Sequence, residues 1–129
     1  MADAARQFHT QQIHFLRKTV VFGNTGTQLT VGTIPSGAVL LTALSGAVVT
    51  TVFNDSGTDL LDIGVSSNDD LFATDLDVSS LGFKACDESV AEALFSADTV
   101  VTATYTGQNA NATTGSAEVV IAYIPDIDK

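Results

Sequence analysis

Apolar residues recur along this chain in short runs, many with a period of two, separated by clusters of Gly, Asn, Ser, Thr and Pro, and no long amphipathic helix is written into it. Residues 13–22 (IHFLRKTVVF) mix apolar and basic side chains and stop at Gly23-Asn24-Thr25-Gly26, which predicts a strand whose start merges with the N-terminal segment. Residues 28–34 alternate, with Leu29, Val31 and Thr33 on one face, and end at Pro35-Ser36-Gly37. A second strand joined to the first as a hairpin is expected. The longest apolar run, residues 38–53, exceeds a usual strand and carries Gly46 near its middle, so it predicts a bent or bulged pair of strands. A helix there is opposed by the β-branched run Val48 to Val52 and by Gly46 itself.

Asn54-Asp55-Ser56-Gly57 reads as a turn and residues 59–65 as a strand with Leu61, Ile63 and Val65 on one face. Residues 66–70 read as a polar loop. Residues 71–81 admit two readings: a helical turn capped by Asp69 or Asp70, or a short strand beginning near Leu76 and Val78. A brief strand is expected at 83–86, and Ser89-x-x-Glu92 has the form of a capping box. Residues 99–106 and 117–124 are the clearest strands, expected to form a C-terminal hairpin through the Gly/Asn/Thr-rich segment 107–115. Seven to nine short strands of this kind predict an all-β fold, an antiparallel β-sandwich of jelly-roll type. The expected organisation is a flexible N-terminal arm over 1–16, a sandwich body over 17–125 and a short tail over 126–129.

Charge changes the picture more than length does. The first 18 residues carry Arg6, Arg17 and Lys18 against Asp3, whereas the other 111 carry 14 acids against Lys84 and Lys129. A body this acidic repels nucleic acid and anionic membranes, so neither is an expected partner. The basic arm reads instead as a docking element, with Arg6, His9, His14, Arg17 and Lys18 as candidate partner-binding residues facing an acidic protein surface or a neighbouring copy. The N-terminus lacks the apolar core of a signal peptide, and no window approaches 18 consecutive apolar residues.

No catalytic signature emerges, and no enzyme, cofactor or metal is expected. His9 and His14 are five apart, which places them on opposite sides of a strand. Gly23-x-x-Gly26 has no neighbouring Lys and opens no helix, so it reads as a turn. The acids Asp55, Asp59 and Asp62, and Asp69, Asp70, Asp75 and Asp77, are hard oxygen ligands of the kind calcium takes, but their spacing is not that of an EF-hand loop and a solvated acidic rim is the competing reading. A paired-carboxylate glycosidase is disfavoured by the absence of Trp. Cys86 reads as a small buried hydrophobe, Tyr105 and Tyr123 as core or interface anchors, and the sequons at Asn54 and Asn111 as turn chemistry.

The order of segments, IPSGAVL at 34–40, GTDLLDIGVSSNDDLFATDLDVSSLG at 57–82, SADTVVTATYTG at 96–107 and TTGSAEVVIAYIP at 113–125, resembles the capsid decoration or cement proteins of tailed bacteriophages. The resemblance spans residues 20–125. It implies a non-enzymatic virion protein, made in the host cytoplasm, that binds the outer surface of the head and bridges major capsid protein subunits, working as a homodimer or homotrimer. The alternative is a head-fibre or tail-associated module that contacts a receptor or glycan through loops such as 109–114.

Overall fold

In the computed structural model, residues 12–88 and 94–126 are described; Arg6, His9 and the Ser89/Glu92 box lie outside them. Nine strands follow in chain order: β1 (His14–Val21), β2 (Gln28–Ile34), β3 (Val39–Leu40), β4 (Gly46–Thr51), β5 (Asp59–Val65), β6 (Asn68–Asp77), β7 (Gly82–Ala85), β8 (Thr99–Gly107) and β9 (Ser116–Ile124). They form two antiparallel sheets. Sheet I has the order β1-β9-β4-β7, with β3 also on β9, and sheet II has the order β2-β8-β5-β6. Counting β3 and β4 as one interrupted strand gives four strands per sheet, the jelly-roll sandwich.

Alternation builds the core. Val20, Ala47, Val49, Val119 and Ile121 of sheet I meet Val31, Ile34, Leu61, Ile63, Val101, Ala103 and Tyr105 of sheet II, all buried. The two expected hairpins do not form. β1 pairs with β9 and β2 with β8, so chain neighbours lie in opposite sheets. The link between β1 and β2 is a 3-10 turn at Phe22–Asn24 that crosses the sandwich end, held by Phe22 N–H to the Gly115 carbonyl and Gly26 N–H to the Tyr105 carbonyl. Segment 108–115 crosses the same end between β8 and β9. Period-two alternation specifies which face is buried, not which strand is the neighbour.

The apolar run 38–53 is a strand with an insertion. Leu40 pairs with Tyr123 and Gly46 with Val120, so residues 41–45 stand opposite only Ile121 and Ala122 and loop out through a 3-10 turn at Thr42–Leu44. Ser45, fully buried, restores the ladder: its hydroxyl accepts the Ala122 N–H at 2.9 Å and donates to the Leu41 carbonyl at 2.8 Å. Gly46 is required next to it, since a Cβ there would sit 2.1 Å from the Lys84 carbonyl oxygen of β7.

A bulge in β2 also moves the burial pattern. Thr30 pairs with Thr102 and Gly32 with Val101, which leaves Val31 as the extra residue and sends Ile34, not Thr33, into the core. In place of the polar loop and helical turn considered for 66–81, β6 is one ten-residue strand that starts at Asn68 and hairpins onto β5. The Asp62 carboxylate accepts the Asp75 N–H where that strand bulges.

Candidate interaction surface

The side of sheet I that faces away from the core can be read row by row from the register, because directly opposed residues share a face. One row brings together Val39, Ile124 and Leu94, and Ile13 continues the β1 register beside them. The next holds Phe15 and Ala122, then come Arg17, Val120, Gly46 and Ala85, and then Thr19, Glu118, Val48 and Phe83. Phe15 is 54% exposed and Phe83 48%, so these large side chains stand in solvent. Near the centre lies an ion pair: Arg17 Nε donates to Glu118 Oε1 at 3.1 Å while Thr19 Oγ1 donates to Oε2 at 2.8 Å. A shallow hollow of about 290 Å³ lies between Phe15, Arg17 and Val120.

Sheet II presents the opposite chemistry. The side of sheet II turned away from the core carries Gln28, Thr30, Thr104, Thr106, Asp62 and Asp77 together with Leu60, Val100 and the buried Thr102. Its strands carry Asp59, Asp62, Asp69, Asp70, Asp75 and Asp77 and no Lys or Arg. Burial, reinforced by the charges of Asp75, Asp69 and Asp70, raises the Asp62 pKa even though the Asp75 N–H opposes it. Asp77 is held below the ordinary value by the Ser79 hydroxyl and N–H. Among the described residues the acids do not gather into a set of three or more metal ligands.

At the sandwich end the two sequons turn out to be partners. The Asn54 side chain accepts the Thr113 and Thr114 N–H groups and donates to Thr113 Oγ1, while Asn111 accepts the Ser56 N–H and donates to Ser56 Oγ. Each Asn thus grips the Ser or Thr of the other tripeptide. Between them Asp55 is buried; burial alone would raise its pKa, but the N–H groups of Asn111, Gly57, Asn109 and Ala110 outweigh it and hold the pKa down. Donors of this kind occupy the lone pairs a cation would need. Beneath the loops, Tyr105 donates to Asp59 at 2.6 Å and its ring packs on Phe53, centroids 4.5 Å apart.

Of the residues expected to dock, Arg6 and His9 lie outside the described residues, and the other three do not share one face. His14, Arg17 and Lys18 all lie on β1, so the segment expected as arm runs into the sheet from residue 14 onward. Arg17 points to the outer face of sheet I and Lys18 to the other side of the strand, while His14 lies against the Tyr123 ring at 5.7 Å. Tyr105 and Tyr123 are both buried core residues. Cys86 packs against the core, and burial, with the Asp87 charge, pushes its thiol up to about 12, far from a reactive thiolate. The apolar outer face was not singled out among the docking candidates; its trace in the sequence is that apolar residues occupy both phases of 117–124 and of 38–53.

The features above define an all-β jelly-roll sandwich with one apolar outer face and one acidic one. No protein-family model and no curated protein matches the sequence. Among solved structures, the chain is similar to one in the cyanophage Pam1 capsid asymmetric unit, with 17% identity and a TM-score of 0.64 over 90% of this chain and 86% of that one. It is also similar to one in the acid-stable capsid of Helicobacter pylori bacteriophage KHP30, with 17% identity and a TM-score of 0.65 over 89% of this chain and 93% of that one. The likeness is one of fold, and it covers nearly the whole of each chain.

Proposed function

We propose that this protein is a structural component of a bacteriophage virion, a decoration or cement protein that sits on the outer surface of the head and bridges major capsid protein subunits. The observation that carries the reading is the near end-to-end fold likeness to chains from two phage capsid structures. The acidic strands of sheet II support it, since a face with six acids and no base suits an outward, solvent-facing side. In this reading the protein is not an enzyme, and the N-terminal segment, with Arg6, His9, His14, Arg17 and Lys18, contributes to attachment. Repeated weak contacts over a lattice supply avidity without a tight single site.

Co-sedimentation of the purified chain with heads of its source phage, prepared without it, tests the reading. Saturable binding to expanded heads is expected. Failure to pellet with any form of the head would sink it. Removing residues 1–12, which stops short of β1, is expected to leave the sandwich folded and weaken pelleting most at low salt, where charge contacts are least screened.

A further inference from the structure

Apart from Gly46 and Ala122, which are buried, the outer face of sheet I is partly or wholly open to solvent among the described residues, yet its central strands are apolar in both phases. We propose that this face docks a second copy of the chain, sheet against sheet, about a two-fold axis close to Arg17 and Glu118. This goes beyond the virion reading and does not depend on it.

Charge selects the occupant. With a net charge of -10, two copies repel over most of their surface, and sheet II, whose strands hold six acids and no base, is the least suited to contact another copy. The outer face of sheet I carries one base and one acid, already adjacent, so it is neutral and self-complementary. A two-fold axis beside that pair lets Arg17 of each copy reach Glu118 of the other, the isologous arrangement. A head-to-tail contact of sheet I on sheet II would satisfy charge, but it would set Phe15, Val48 and Phe83 against Thr and Asp side chains.

The dimensions agree. Four strands about 4.8 Å apart and eight residues of about 3.3 Å rise give a face of about 19 by 26 Å, or about 500 Å² per copy. About 1,000 Å² in total reaches the lower bound for a specific interface, below the standard of about 1,600 Å², which fits a reversible dimer. The hollow between Phe15, Arg17 and Val120 gives a protruding apolar side chain of the other copy a seat.

Sedimentation equilibrium on the full chain tests this. The wild type is expected to move from the 13.4 kDa monomer to twice that mass as concentration rises. Arg17→Glu and Glu118→Arg are each expected to remain monomeric where the wild type is dimeric, since each sets four like charges around the axis. Mixed one to one, they are expected to recover the dimer, which a purely intramolecular ion pair does not predict. Val48→Glu is expected to abolish association without recovery, with unchanged far-ultraviolet circular dichroism verifying that each variant folds. A wild type that stays monomeric, a mixture that does not re-associate, or a Val48→Glu protein that loses head binding while the wild type never dimerises, each overturns the proposal, the last by assigning the face to a capsid surface.

Discussion

Replacing Ser45 by alanine deletes a single oxygen from the middle of sheet I, and the consequence follows from what that oxygen holds. Residues 41–45 leave the β9 ladder, and the Ser45 hydroxyl is the partner that the Ala122 N–H finds in their absence. Both residues are fully buried, so water cannot replace the lost acceptor. An orphaned buried N–H costs about 1–3 kcal/mol, and the lost bond to the Leu41 carbonyl adds about 0.5–1.5 kcal/mol, the smaller share because Leu44 N–H still donates to that carbonyl at 3.1 Å. A loss of about 2–4 kcal/mol is therefore expected. At about 4 °C per kcal/mol for a chain of this size, Tm falls by about 8–16 °C. Urea unfolding at one fixed protein concentration measures the loss, and amide exchange at Ala122 should accelerate in step with it. Ser36→Ala is the control: its hydroxyl makes one exposed 3.4 Å contact, and a change within about 0.5 kcal/mol is expected. If Ser45→Ala is equally mild, the hydroxyl is not what closes the ladder.

Gly46→Ala places a Cβ 2.1 Å from the Lys84 carbonyl, a backbone atom that cannot swing aside, so β7 must shift and stability should fall by about 3 kcal/mol; denaturant unfolding decides this, and a neutral result would mean that β7 is not held at that spacing. Tyr105→Phe removes the hydroxyl that donates to Asp59 inside the core and is expected to lose about 1.5–3 kcal/mol by the same assay, whereas Tyr123→Phe, at the 8% exposed margin of the core, should lose less. For pH, Asp55 and Asp77 have depressed pKa values, so their stabilisation is present above the unfolded value of 3.8 and is lost as pH falls through their lower folded values. Asp62 has a raised pKa, so the cost of its partly buried charge, added to by neighbouring acids and present at neutral pH, is relieved on acidification before those contacts go; Tm should rise slightly from pH 7 toward the carboxylate range and drop steeply below 3.8, and Asp62→Asn should remove the rise. A Tm that falls monotonically from pH 7 in the wild type contradicts this ordering.

How much of this was legible depended on range. The bounds of β2 and β5 follow from alternation and flanking turns, which are local, and the structure reproduces them at Gln28–Ile34 and Asp59–Val65. Pairing is not local. In a sandwich whose chain crosses between sheets at its end, strong consecutive strands such as β8 and β9 look like a hairpin although each hydrogen-bonds elsewhere. The reciprocal grip of Asn54 on Thr113 and Ser56 on Asn111 spans more than fifty residues, so the sequence displays only two like tripeptides. The basic residues of β1 were visible as a cluster, but strand geometry sends Arg17 and Lys18 to opposite sides, and Glu118, from 101 residues away, takes Arg17.

One mismatch between pattern and exposure ties the sandwich to its surroundings. A strand covered on one side alternates, and a strand covered on both reads as a continuous apolar run. β8, at the centre of sheet II, alternates over 101–106: Val101, Ala103 and Tyr105 face the core while Thr102, itself buried, Thr104 and Thr106 take the other side. β9, at the centre of sheet I, does not, since Val119, Ile121 and Tyr123 face in while Val120, Ala122 and Ile124 face out. Nor does the 38–53 run beside it, where Val39 and Val48 lie outside and Leu40, Ala47 and Val49 inside. A free-standing sandwich gains nothing from apolar residues in the outward phase and incurs aggregation by carrying them. The composition of sheet I is that of a layer with something on each side, and the core supplies only one of the two.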